Sequence, residues 1–95
     1  MTKADIVNNV SKSTGFTKVE VEIVLDSIMN SIKTSLSNGE RVDMRGFGSF
    51  IVKRREARST RNPATNEIVN LDTRYIPSFK VSKILKEFVN NNLIN

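Results

Sequence analysis

The sequence predicts an α+β fold: two N-terminal helices, a three-stranded antiparallel sheet with a long protruding β-hairpin arm, and a short C-terminal helix. Three observations predict it. Apolar residues recur at helical spacing from Ile6 to Leu36, alternate with polar ones from Arg41, and nearly vanish from Lys53 to Asn66 before a strand-like pattern resumes at Ile68. At 95 residues the chain has the size of one compact domain. Residues 1–52 and 77–95 are expected to form its body and residues 53–76 its arm.

Thr2 caps the first helix, with Asp5 three residues on as a weaker relative of the capping box; Ile6, Val7 and Val10 follow on one face, and Gly15 marks the end. Thr17 and Glu20 make a full capping box for a long second helix running to Asn38, with Gly39 placed for a left-handed stop. Val21, Val24, Leu25, Ile28, Met29, Ile32 and Leu36 fall within an arc of roughly 140°, wider than one neighbouring helix needs, which implies burial on two sides. Arg41 to Arg45 alternates as a strand, Gly46-Phe47-Gly48 makes a tight turn or bulge, and Ser49 to Val52 begins a second strand. Ile68, Val69, Leu71, Tyr75 and Ile76 supply the third. Pro77 is expected to close the hairpin, Phe79 to anchor the core, and Ser82 to cap a last helix with Ile84, Leu85, Phe88 and Val89 on one face. The run from Asn90 to Asn95 is expected to fray.

The chain has no cysteine and no histidine, which removes disulfides, thiolate or imidazole metal sites, thiol nucleophiles and the commonest general base. Glu20, Glu22 and Asp26 lie on the long helix, where solvation or pairing with Lys18 accounts for them, and no nucleophile with a matching base is present. Neither an enzyme nor a cofactor is expected. There is no run of about 18 apolar residues, and Met1-Thr2-Lys3-Ala4-Asp5 leads directly into an amphipathic segment, so a soluble, cytoplasmic protein without membrane partners is expected.

The net charge of +5 favours polyanionic partners, and its distribution says more. Up to Arg45, Lys3, Lys12, Lys18, Lys33, Arg41 and Arg45 are cancelled by Asp5, Glu20, Glu22, Asp26, Glu40 and Asp43; the entire excess lies from Gly46 onward. In an extended strand Lys53, Arg55, Ser59 and Arg61 share one face while Arg54, Glu56, Arg58 and Thr60 share the other. A hairpin with base on both faces suits a groove bounded by two rows of phosphates, and arginine binds phosphate oxygens bidentately. At the tip, Asn62-Pro63-Ala64-Thr65-Asn66 reads as a type I turn with Asn first and Pro second, followed by Asn66 in the left-handed conformation. Pro63 is rigid and apolar: it fits a wedge between base pairs, and it equally fits an ordinary turn. The helices lack a basic stripe, so binding by counterion release and DNA deformability, with weak sequence preference, is expected.

The arm buries little of its own surface, and the remaining residues make a core of a size that yields only about 3–5 kcal/mol and usually needs a staple. With no cysteine or metal site, the staple is a second chain, its shared core drawn from Val24, Ile28, Ile32, Phe47, Phe50 and Phe79. The same residues can also fill a monomeric core.

Gly46-Phe47-Gly48-Ser49-Phe50, Lys53, Arg55, Arg58, Arg61-Asn62-Pro63, Thr65, and Pro77-Ser78-Phe79-Lys80 with Lys83, Leu85 and Lys86 resemble the signature of the bacterial HU and integration host factor family. The Met-Thr-Lys start and Gly39-Glu40-Arg41 extend the match over almost the whole chain. The resemblance implies an intertwined dimer with a helical base and two β-arms wrapping the minor groove of duplex DNA, the proline at Pro63 intercalating between base pairs; HU and integration host factor are themselves known minor-groove binders of this kind. It also implies DNA contacts at Arg55, Arg58 and Arg61 along the arm, Asn62 and Pro63 at the tip, and Lys3, Lys80, Lys83 and Lys86 on the body; Arg45, Ser49, Lys53 and Arg74 complete the expected set. Thr60 and Asn66 replace family glycines, and Val81-Ser82 stands where the family often has Pro-Gly or Ala-Gly. The function expected is that of an HU-like homodimer that bends and compacts DNA in the nucleoid with little sequence preference. The alternatives are a site-preferring subunit of heterodimeric integration host factor, and a protein whose basic arm binds RNA, which the family does to some degree.

Overall fold

The structure is a computed structural model that describes residues 1–94. The chain divides into two compact units, Met1–Ser35 and the residues from Leu36 onward.

In the first unit, α1 (Lys3–Thr14) opens with a complete capping box: the Asp5 N–H donates to Thr2 Oγ1 at 3.4 Å, and the Thr2 N–H donates to the Asp5 carboxylate at 2.8 Å. Aspartate thus closes the box that glutamate usually closes. Gly15, at φ +81°, ends α1 with its N–H on the Ser11 carbonyl. Helix α2 (Lys18–Ser37) starts at Thr17, whose Oγ1 accepts from the Glu20 N–H and donates to the Glu20 carboxylate, both at 3.1 Å. It stops at Ser37, one residue short of the expected end, because Gly39 at φ +78° turns its N–H back to the Leu36 carbonyl. Val7 of α1 and Val21 of α2 are the buried apolar residues.

In the second unit, β1 (Val42–Met44), β2 (Gly48–Arg55) and β5 (Arg74–Val81) form an antiparallel sheet in the order β1-β2-β5. The β1–β2 turn puts Gly46 at φ +81° while the Phe47 N–H donates to the Met44 carbonyl, the arrangement in which a type II turn requires glycine. Gly48 is needed for a different reason: a Cβ there would sit 2.6 Å from the Lys80 carbonyl oxygen and inside the Phe79 ring. Phe79 packs against Phe47 and Phe50 at ring-centroid distances of 5.6 and 5.0 Å. Pro77 does not close the hairpin as expected. It lies inside β5 opposite Val52, and β5 is an edge strand, where a missing N–H is tolerated.

The hairpin continues outward as β3 (Arg58–Arg61) and β4 (Ile68–Leu71), a separate two-stranded ladder. Its register is that of β2–β5: Arg55 faces Arg74 and Arg58 faces Leu71, so the interruption takes two residues from each strand, Glu56-Ala57 and Asp72-Thr73. Side-chain alternation therefore carries through. At the break the Ala57 N–H donates to Thr73 Oγ1 at 3.2 Å, a hydroxyl standing in for a ladder carbonyl. The last helix, α3 (Lys83–Ile94), is capped as expected by Ser82, whose Oγ accepts from the Leu85 N–H at 3.1 Å. The tail does not fray at Asn90: the helix runs to Ile94, helped by Asn92, whose amide donates to the Phe88 carbonyl. Asn95 lies outside the described residues.

Candidate nucleic-acid interface

The arm's tip is held by its own backbone. The Asn62 N–H donates to the Glu67 carbonyl at 2.8 Å, the Asn66 N–H donates to the Asn62 carbonyl at 2.7 Å, and Asn62 Oδ1 accepts from the Ala64 N–H at 2.9 Å. The turn is thus one residue wider than a type I turn closed on Thr65. Asn66 adopts φ +62°, the left-handed conformation asparagine tolerates, so the family glycine is not needed here. These bonds leave Pro63 exposed at the end of a hairpin.

The two faces of the arm differ. On one, Lys53, Arg55, Ser59 and Arg61 stand opposite Ile76, Arg74, Asn70 and Ile68. Ser59 Oγ donates across the ladder to Asn70 Oδ1 at 2.7 Å, and Arg61 reaches over the tip to Asn66 Oδ1 at 3.3 Å. Lys53, Arg55 and Arg74 form no ion pair or side-chain hydrogen bond among the described residues. On the other face Arg54 is neutralised by an ion pair with Glu56, while Arg58 forms no ion pair or side-chain hydrogen bond among the described residues.

At the end of the β2–β5 ladder away from the arm, Arg45, Ser49, Lys80 and Lys83 line a shallow polar depression together with Arg41, Asp43 and Ser82. Asp43 organises it. One carboxylate oxygen accepts from Ser49 Oγ at 2.5 Å, from Arg41 Nη2 at 2.9 Å and from Arg41 Nε at 3.1 Å. The Ser49 bond first, and the Arg41 bonds after it, hold the Asp43 carboxyl below its usual pKa. Ser49, expected as a DNA contact, thus spends its proton inside the protein and keeps only acceptor capacity for other partners. Lys80 stands opposite Ser49 in the ladder, Lys83 has only a long 3.9 Å contact with Glu87, and Lys86 is exposed on α3.

In the first unit, Lys3 donates to Asp26 at 2.5 Å, and that hydrogen bond raises the Lys3 pKa. Asp26 therefore pairs with Lys3 and not with Lys18, a partnership across two helices that one-helix spacing does not reveal. Of the residues expected in a shared core, Ile32 and Phe50 are half-buried, whereas Val24, Ile28, Phe47 and Phe79 remain 58, 46, 52 and 42 % exposed in the single chain. Among the described residues no helix is long and apolar enough to cross a membrane, and no cluster of His, Cys, Asp and Glu could hold a metal ion.

A family model described as bacterial DNA-binding protein matches residues 1–90. The chain belongs to the HU and integration host factor family of bacterial DNA-binding proteins. The integration host factor subunit alpha of Bdellovibrio bacteriovorus is 40 % identical over 95 % of this chain and 82 % of its own length. The DNA-binding protein HU of Thermotoga maritima is also 40 % identical, over 94 % of this chain and 99 % of its own. Identity to these representatives of the two branches is thus equal. An Anabaena HU–DNA cocrystal structure superposes with a TM-score of 0.85 at 35 % identity, covering 94 % of this chain and 97 % of that one. Three helices, the antiparallel sheet and the protruding arm are the HU fold, as the sequence predicts.

Proposed function

We propose that the protein is an architectural component of the cytoplasmic nucleoid, a homodimer that bends and compacts duplex DNA through the minor groove with little sequence preference. The observation that carries this reading is the arm itself: a hairpin with Lys53, Arg55, Arg58 and Arg74 along its length, none of them ion-paired among the described residues, ending in exposed Pro63. A rigid apolar tip flanked by cations enters a base step as a wedge, while the cations displace counterions from the backbone. The working division is a dimerisation body of residues 1–52 and 77–95 and a DNA-binding arm of residues 53–76, with Arg45, Lys80, Lys83 and Lys86 on the body and Lys3 on α1 meeting flanking DNA, while Ser49 serves to orient Asp43. Dimerisation is supported by the apolar surface that the single chain leaves open on Val24, Ile28, Phe47 and Phe79. The protein acts by binding, without catalysis.

A second reading, as one subunit of a heterodimeric integration host factor, has its support in the 40 % identity to a subunit alpha. Sedimentation of the purified chain, followed by energy transfer across a doubly labelled duplex at several salt concentrations, separates the two. A folded dimer that draws the duplex ends together and loses affinity steeply with salt supports the homodimeric bender. A chain that is unfolded or inactive until a related subunit is added supports the heterodimer, and binding without bending removes the wedge. Competition with structured RNA ranks the two nucleic acids.

A further inference from the structure

We propose that Thr73 is a positioning residue for DNA bending, its hydroxyl pinning the outer ladder of the arm, and Pro63 with it, at a fixed angle to the inner ladder. The inference rests on the DNA-bending reading above. The arm is two ladders in one register: β2–β5 ends at Arg55 and Arg74, and β3–β4 begins at Arg58 and Leu71. Each strand gives up the same number of residues, Glu56-Ala57 on one and Asp72-Thr73 on the other. The interruption is therefore not a bulge, which adds a residue to one strand only and builds in a bend. An equal gap is a joint. Glu, Ala and Asp are poor strand formers, and among the described residues no backbone hydrogen bond joins the four. The bond that crosses the gap runs from the Ala57 N–H to Thr73 Oγ1 at 3.2 Å. The Arg54–Glu56 ion pair lies along one strand and spans nothing.

Threonine suits this place because its β-branched side chain has a stiff χ1, so the strand's backbone dictates where the acceptor sits. Without it the Ala57 N–H would turn to water, and only chain stiffness would hold the angle of the joint. The lever is long. Pro63 stands five positions beyond Arg58, at most roughly 17 Å of extended chain, so a rotation of about 10° at the joint moves the proline by up to about 3 Å. That is close to one base step of about 3.4 Å. Lys53, Arg55 and Arg74 lie on the inner ladder and keep their places under such a rotation. The joint therefore governs bending more than affinity.

The test is Thr73→Val, which keeps the branched shape and the strand preference and removes the acceptor. In the free protein its Ala57 amide should exchange hydrogen about three- to tenfold faster, the weight of one net hydrogen bond. Amide residual dipolar couplings of β2–β5 and β3–β4, which fit one rigid frame in the unmodified protein, should shrink on β3–β4 alone. Ser59→Ala, which removes a cross-strand bond inside the outer ladder, should leave the two ladders in one frame. On a doubly labelled duplex, Thr73→Val should draw the ends together less, while affinity by anisotropy stays within about twofold because no phosphate contact is removed. Thr73→Ser, which keeps the acceptor, should restore bending. Unchanged couplings in Thr73→Val would overturn the pinned joint. Equal losses of affinity and bending, or no rescue by Thr73→Ser, would overturn the positioning role. A loosened arm in Thr73→Val beside an unmodified protein that leaves the duplex straight would instead remove the bending reading on which the inference stands.

Discussion

At the scale of single residues, the tip separates two jobs. The Asn62 bonds and the left-handed Asn66 close the turn through groups other than the Pro63 ring. Pro63→Ala should therefore leave the hairpin in place and reduce DNA bending more than binding; equal losses by energy transfer and anisotropy would argue against the wedge. Charge state outside the arm is similarly local. Asp43 is held below its usual value of 3.8 by Ser49 and then Arg41, so the stability it contributes is fully present above 3.8 and is lost as pH falls through its lower folded value. Lys3 is raised above 10.5 by Asp26, so its contribution is complete below 10.5 and is lost as pH rises through its higher folded value. With no histidine in the chain, unfolding curves should be nearly flat with pH between about 5 and 9. Ser49→Ala should move the acid limb to higher pH, which denaturation followed by circular dichroism would detect.

At the scale of elements, caps and glycines decide where the chain turns. Thr2, Thr17 and Ser82 each satisfy an N–H that the first turn of a helix leaves open, and Thr17→Ala should cost about 1 kcal/mol in a denaturant titration. Gly48 acts through close approach: Gly48→Ala forces a Cβ into the Lys80 carbonyl and the Phe79 ring, two neighbours that cannot both retreat while β2 stays paired with β5. That variant should lower the melting temperature far more than Thr17→Ala; a melting temperature within the Thr17→Ala range would show that the strands adjust. The interruption of the arm is the element-scale feature that strand propensity did not expose, since Glu56-Ala57 and Asp72-Thr73 are polar residues within an already polar stretch.

At the scale of the whole molecule, the single chain leaves large apolar residues in water on each unit: Val24 and Ile28 on α2, and Phe47, Phe79, Ile84 and Phe88 in the second unit. A soluble protein seldom leaves such surface open without a partner. If two chains share it, folding and association are one reaction, and the melting temperature should rise with protein concentration. A melting temperature independent of concentration over a hundredfold range would return these residues to a monomer. Substituting Ile28→Glu should abolish the concentration dependence by placing a charge in the shared core, with sedimentation reporting a smaller species.

The sequence by itself determined the element order, the caps at Thr2, Thr17 and Ser82, the left-handed Asn66, the basic arm with its proline tip, and the family. These are legible because caps, turns and alternation depend on residues within a few positions of one another. Only the tertiary structure decided which polar groups are already partnered: Lys3 with Asp26, Ser49 and Arg41 with Asp43, Arg54 with Glu56. It also decided that Pro77 lies inside an edge strand, that α3 continues to Ile94, and that Arg55 faces Arg74 across the ladder. Register and pairing between distant segments arise when strands and helices are brought together, and the positions of Arg55 and Arg74, nineteen residues apart in the chain, carry no local mark of their meeting.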